Sequence, residues 1–341
     1  MSEKKYFAAA NTTGGFRSYY DEVFGKCERT YIIKGGSGTG KSHFMRECAK
    51  HAEAKLECKS VEYFYCSFDP SSLDGIIING DIAIIDGTAP HVYEPTMPGA
   101  RENLVDLGRF WDSGKLAAKK EKLSELFSMK KECFSRAYSY LGACGELDKI
   151  KQGLVAPSFD DAKISAAAAK LVSSLGREEG NGKGRETRIV SALGRSGKTY
   201  FDTYEKTAKK VYRMYDGEGA SHILLDRIMD EARRFDIPVC VSYDPLFAKR
   251  PNAVLLGDTA IIATNSVEDE SMQPYFKDGF FSEVERILKI NEMQTALATE
   301  AIKEFERASK IHFGIEEIYV DAMDFSKKEE FTAEFLEKLK I

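Results

Sequence analysis

The sequence predicts an α/β protein made of two related lobes with parallel sheets, each lobe followed by a helical segment. Three observations carry that prediction. A glycine-rich loop, Gly35 to Ser42 (GGSGTGKS), joins a strand-like run to a helical one. Short apolar runs alternate with helical spacing on either side of it. The motifs of the first half then return, in order, in the second.

Taken along the chain, Tyr31 to Lys34 is a short apolar run leading into the glycine loop, and Phe44, Met45, Cys48 and Ala52 recur at helical spacing from Ser42 to about Ala54. Val61 to Phe68 is strand-like and ends at Asp69-Pro70, where proline stops the ladder. Ile82 to Ile85 is a third buried strand, ending at Asp86-Gly87. From Arg101 to Gly142 the pattern turns helical, with Leu116, Leu123, Phe127, Phe134, Ala137 and Leu141 on one face and Lys119, Lys120, Lys122, Lys130 and Lys131 on or beside the other. Glu121, Glu125 and Glu132 interleave with these lysines, so the face reads as solvated rather than as a basic patch. A second helical stretch covers Asp160 to Leu175, and Gly176 to Thr187 has a linker's composition. The expected domains are residues 1–100, a helical insertion at 101–175, a linker at 176–187 and a second lobe at 188–341.

The duplication rests on four matches. Gly38 to Met45 (GTGKSHFM) faces Gly217 to Leu224 (GEGASHIL); Ser67-Phe68-Asp69-Pro70 faces Ser242-Tyr243-Asp244-Pro245; Gly80 to Ile85 faces Gly257 to Ile262; Phe134 to Ala137 faces Phe305 to Ala308. Internal self-similarity kept in order is the mark of repeated architecture.

The loop residues fit one chemistry. A triphosphate concentrates negative charge, and backbone N–H groups at the positive end of a helix receive it without a counter-ion. Gly35, Gly36, Gly38 and Gly40 allow close wrapping; with Ser37, Thr39 and His43 they form the expected nucleotide contact. Lys41 is expected to reach the β- and γ-phosphates and Ser42 to ligate Mg²⁺. Chance agreement with this pattern in a chain of such length is on the order of one in a hundred. Asp86 is the expected second magnesium ligand, with a turn aspartate as the alternative. Asp69 reads either as a proton acceptor or as a turn residue. The expected ligands are therefore ATP and Mg²⁺.

In the second lobe Lys41 faces Ala220, Gly35 faces Met214 and Asp86 faces Ala263, so that lobe is expected to lack turnover while its glycines could hold an anion weakly. Arg195, Arg101 and Arg109 are candidates for a cis arginine finger, against the alternative of carboxylate-paired or solvated arginines.

Bulk properties narrow the rest. With 43% hydrophobic and 30% charged residues the chain folds as a globular protein, and a net charge of -5 argues against coating nucleic acid or anionic membrane. No run approaches the roughly 20 apolar residues of a membrane span, and the N-terminus lacks a signal-peptide core, which predicts a cytoplasmic protein. Seven cysteines without CxxC spacing and five dispersed histidines (His43, His51, His91, His222, His312) give no zinc-site motif.

Gly35 to Ser42 with Asp86 resembles the P-loop NTPase superfamily. The tandem lobes, the Phe68-Asp69-Pro70 turn, the segment His91 to Trp111 and Ala322-Met323-Asp324-Phe325 look like a poorly characterised family of bacterial two-lobed ATPase-like proteins, a resemblance covering nearly the whole chain. It implies ATP binding. Three functions remain: an ATPase or ATP-driven switch, a small-molecule or nucleotide kinase with Asp69 as base, and a nucleotide sensor without turnover. The acceptor or protein partner is unspecified; nucleic acid is possible but not indicated.

Overall fold

The computed structural model describes residues 3–175 and 184–339, so the expected linker lies largely outside the described residues. Its last two positions form a strand.

In the first half, β1 (Lys4–Phe7) precedes a hairpin of β2 (Ala9–Thr12) and β3 (Gly15–Ser18), then α1 (Tyr20–Phe24), β4 (Arg29–Lys34), α2 (Lys41–Glu53), β5 (Val61–Tyr65), β6 (Leu73–Ile78), β7 (Ile82–Asp86) and β8 (Glu102–Asp106). The second half repeats this as β9 (Glu186–Thr187), β10 (Ser191–Gly194), β11 (Gly197–Tyr200), α6 (Thr203–Thr207), β12 (Lys210–Tyr215), α7 (Ser221–Arg234), β13 (Val239–Tyr243), β14 (Pro251–Leu256), β15 (Thr259–Thr264) and β16 (Glu270–Ser271). Between the halves lie α3 (Ser113–Ala118), α4 (Lys120–Val155) and α5 (Asp161–Ser174); α8 (Val284–Asp321) and α9 (Phe325–Lys338) follow the second sheet.

The two six-stranded sheets share one topology. The orders β1-β5-β6-β7-β4-β8 and β9-β13-β14-β15-β12-β16 match strand for strand, and so does the direction of every pairing. Both sheets are mixed rather than parallel, because β6 and β14 run antiparallel to both neighbours. β6 turns into β7 at Asn79-Gly80, both at positive φ (54° and 80°), the conformation an Asn-Gly pair adopts most readily in a tight hairpin. The helical pattern also begins later than expected, since residues 102–106 are the edge strand β8 and helix starts at Ser113.

The halves meet edge to edge. Phe7 N donates to Ile189 O at 2.7 Å in an antiparallel bridge, and each of these residues sits two positions before its own hairpin. One continuous core therefore contains Phe7, Ile189, Val190 and Tyr204 from both halves. Beyond the sheets the helices exchange places: α4 and α8 pack along each other, α5 lies on α7 of the second half, and α9 lies on α2 of the first. Aromatic contacts of Phe44 with Phe331 and Phe335 fix α9 against α2. Asp160 and Asp324 cap α5 and α9 through Lys163 N and Lys327 N, each such cap contributing about 1 kcal/mol. No helix among the described residues is long and apolar enough to cross a membrane.

Candidate nucleotide site

The glycine loop leaves β4 at the carboxyl edge of the first sheet and enters α2, where ligands of open α/β sheets collect. Gly38 and Gly40 hold positive φ (73° and 79°), and no side chain caps α2. Thr39, 1% exposed, ties the loop by donating from Oγ1 to Gly36 O at 3.0 Å, and Ser37 is half-buried within the loop. Lys41 folds back along the loop: Nζ donates to Gly35 O (2.9 Å) and Gly36 O (2.7 Å) and stands 3.5 Å from Asp86 Oδ2. Ser42 Oγ accepts from Leu73 N at 3.0 Å. His43 is exposed, near Glu329 at 3.9 Å.

Asp86 takes the turn role offered by the sequence and also faces the loop lysine. Its Oδ1 accepts from Thr88 N and Thr88 Oγ1 in a turn, while Oδ2 faces Lys41. Burial raises its pKa, opposed by the lysine beside it and the Thr88 hydroxyl.

Asp69 and Arg195, chosen independently from the sequence, meet. Arg195 Nη2 donates to Asp69 Oδ1 at 2.7 Å and Nη1 to Ser309 Oγ at 3.0 Å, with the guanidinium over the Phe313 ring. Asp69 Oδ1 also accepts from Ser71 N and Ser71 Oγ, so the turn role is present too. Arg101 and Arg109 take no part here: the first binds Cys27 O and Gly25 O, the second lies over Phe110 and Phe331.

Helices from later in the chain close around the loop. A Cβ on Gly36 would stand 3.3 Å from Trp111 and 3.4 Å from Tyr319; one on Gly38 would stand 3.0 Å from Glu316 O and from Val320. Trp111 Nε1 is a buried donor without a hydrogen-bond partner. Lys130, expected on the solvated face of α4, turns inward instead: it donates to His312 Nδ1 at 2.9 Å and lies about 6 Å from the Phe68 and Phe134 rings. Burial lowers the pKa of Lys130, and burial with the Lys130 charge brings His312 down to about 4. Lys130, His312 and Glu316 were missed because only the packing of α4 and α8 beside the loop brings them there, and Trp111 because β8, which precedes it, was read as helix.

The second loop is built differently. Ile33 pairs with Asp86 and Met214 with Ala263, so the strand register places Asp216, not Met214, where Gly35 stands. Lys34 ends β4 and Tyr215 ends β12, an offset of 181 (215 − 34), whereas Ser42 and Ser221 are 179 apart (221 − 42). The second loop is therefore shorter by two residues. Asp216 fills it: Oδ1 accepts from Ala220 N at 2.6 Å and Ser221 N at 2.7 Å, the N–H groups an anion would need. Gln152 and Asn291 donate to Gly219 O and Gly217 O, completing the closure, so the weak anion site expected there has its donors already engaged.

The register also corrects the repeat. Cys66 N donates to Ser72 O and Asp244 N to Arg250 O; Arg195 N donates to Phe68 O and Thr13 N to Leu246 O. These pairs share an offset of 178 across the sheet (244 − 66, 250 − 72, 246 − 68), so Asp244 is the counterpart of Cys66, and Asp69 faces Phe247. Arg195 correspondingly faces Thr13, each carried by a hairpin that reaches the other half. Lys41, Asp86 and Asp69 thus lack a chemical equivalent in the second half, and Arg195 lacks one in the first. Comparison with protein-family models, with curated proteins and with solved structures finds no match to this chain.

Proposed function

We propose that this chain binds ATP with Mg²⁺ at Gly35–Ser42 and hydrolyses it there, as an ATPase or ATP-driven switch of P-loop NTPase type with a single working site. The observation that carries this is the contrast between the two loops. The first presents an α2 N-terminus that no side chain caps, with Lys41 and Asp86 3.5 Å apart, whereas the second is shortened and filled by Asp216.

In this reading the backbone from Gly36 to Ser42, with His43 beside it, receives the phosphates, and Lys41 exchanges two loop carbonyls for phosphate oxygens. Ser42 and Asp86 offer hard oxygen donors suited to Mg²⁺, which when bound would screen phosphate charge. Arg195 and Lys130 bring cationic groups from the second half's hairpin and from α4, and Trp111 offers an unused buried donor. Engagement of α8 with both the loop and Arg195 gives hydrolysis a route to helix movement. The kinase reading is weakened because Asp69 Oδ1 already accepts from Arg195 and Ser71.

The experiment is calorimetric titration with MgATP, alongside phosphate release without an acceptor. One site per chain with acceptor-independent release supports the proposal, and Lys41→Ala should weaken binding at least ~10-fold, or about 1.4 kcal/mol. ADP formation only with an acceptor would favour the kinase, and binding without either product the sensor. Undiminished ATP affinity in Lys41→Ala would remove the site from this loop.

A further inference from the structure

Beside the nucleotide loop, on the same sheet edge, lies a second cluster. Cys66 follows β5, Asp74 is the second residue of β6, and His91 lies in the segment after β7. One ligand atom from each falls within 4.8 Å of the others. Asp74 and His91 are 4% and 6% exposed, and Cys66 is half-buried. We propose that Cys66, Asp74 and His91 form a binding site for a zinc-class divalent metal ion, distinct from the magnesium expected at Ser42 and Asp86.

Three features of the cluster support this. The donor set is a thiol, an imidazole and a carboxylate, which together match zinc chemistry and do not match magnesium, an all-oxygen ion. Around a tetrahedral zinc with bonds of about 2.0–2.3 Å, ligand atoms stand roughly 3.3–3.8 Å apart, and the three donors here all fall within 4.8 Å of one another. Asp74 Oδ2 pairs with His91 Nε2 at 3.1 Å and has no other polar partner, and His91 Nδ1 has none. Buried polar atoms are normally satisfied, and a buried carboxylate–imidazole pair with hydrogen-bonding capacity to spare beside a thiol can take a shared ligand.

The ring is also held in place. Tyr20 stacks on His91 at 4.9 Å, Phe16 meets its edge at 5.0 Å, and Tyr20 Oη donates to Asp74 O. A metal here would join the ends of β5 and β6 to the segment leaving Asp86, and Leu73, next to Asp74, bonds Ser42. The second half does not repeat the set, since Asp244 stands at the position of Cys66 and, by the same register, Asn252 at that of Asp74. The cluster was illegible in the sequence because its members have no regular spacing and converge only through the β6 hairpin. On binding, the thiol loses its proton to solvent as the metal–sulfur bond forms, and no electron changes hands.

The test uses the full chain, without nucleotide, stripped with chelator and titrated with Co²⁺ and then Zn²⁺. The expected result is one-for-one uptake with thiolate-to-cobalt charge-transfer absorption in the near ultraviolet, displaced by Zn²⁺. Cys66→Ser should abolish that absorption and His91→Gln should weaken uptake at least ~10-fold, in variants whose circular dichroism matches the parent. Cobalt uptake without thiolate absorption, or uptake unchanged in both variants, overturns the site. Because the readout needs no ATP, it stands or falls separately from the nucleotide proposal.

Discussion

Arg195, on a hairpin of the second half, donates to Asp69, on the turn after β5 of the first half, at 2.7 Å. The pair crosses the boundary between the halves, and both positions change in the equivalent place, to Thr13 and Phe247.

If this pair serves the first site, its loss should affect turnover more than binding. Arg195→Ala is expected to lower ATP hydrolysis at least ~10-fold while leaving MgATP affinity within about threefold. A double-mutant cycle with Asp69→Ala should give a coupling of about 1–3 kcal/mol in chemical denaturation, since both side chains are mostly buried, at 22% and 18% exposure. Additive effects on stability, with hydrolysis at the parental rate, would reduce the contact to an incidental one.

Asp216 acts as the internal anion of the second loop. Asp216→Ala should cost about 1–2 kcal/mol by freeing the N–H groups of Ala220 and Ser221, as loss of a helix cap does, and should leave nucleotide stoichiometry at one. Ala220→Lys should likewise add no second site, because the shorter loop and Ala263 remain. A second equivalent of ATP bound by either variant would contradict the difference drawn between the loops.

His312 predicts a pH dependence of stability. Burial first, and the Lys130 charge second, depress its folded pKa to about 4 from 6.5. Between those values the unfolded chain takes up a proton that the folded chain does not, so stability is full above about pH 6.5 and declines as pH falls toward 4. The contribution is at most about 3 kcal/mol. His222, brought down to about 4 mainly by burial, acts in the same direction, so His312→Asn should flatten the curve measured by urea denaturation from pH 7 to 5 only in part. An identical slope in the variant would show that His312 is not the group responsible.

Much of the candidate site was legible because a glycine loop between a strand and a helix is a local device. Gly35 to Ser42, the flanking strand and helix and Asp86 all follow from residue type and short-range pattern, and the Asp69–Arg195 contact joined two residues already singled out. What stayed hidden is non-local. β6 was missed although Asn79-Gly80 between apolar runs marks its turn, and that omission turned a mixed sheet into an expected parallel one. The Ser-Phe-Asp-Pro and Ser-Tyr-Asp-Pro match was a false register of three residues (178 − 175), which hydrogen bonding between strands corrects and sequence identity cannot. Lys130, Glu316 and Tyr319 reach the loop only because α4 and α8 pack together over the first half, an arrangement with no local signature.

Trp111 makes the central claim directly measurable, since it is the chain's one tryptophan and a Cβ on Gly36 would lie 3.3 Å from its ring. Titrating the protein with MgATP while recording Trp111 fluorescence should give a saturable change with one-site stoichiometry, lost in Lys41→Ala and kept in Asp216→Ala. Calorimetric ATP binding with Trp111 emission unchanged, or an unchanged response in Lys41→Ala, would contradict the assignment of the nucleotide to Gly35–Ser42.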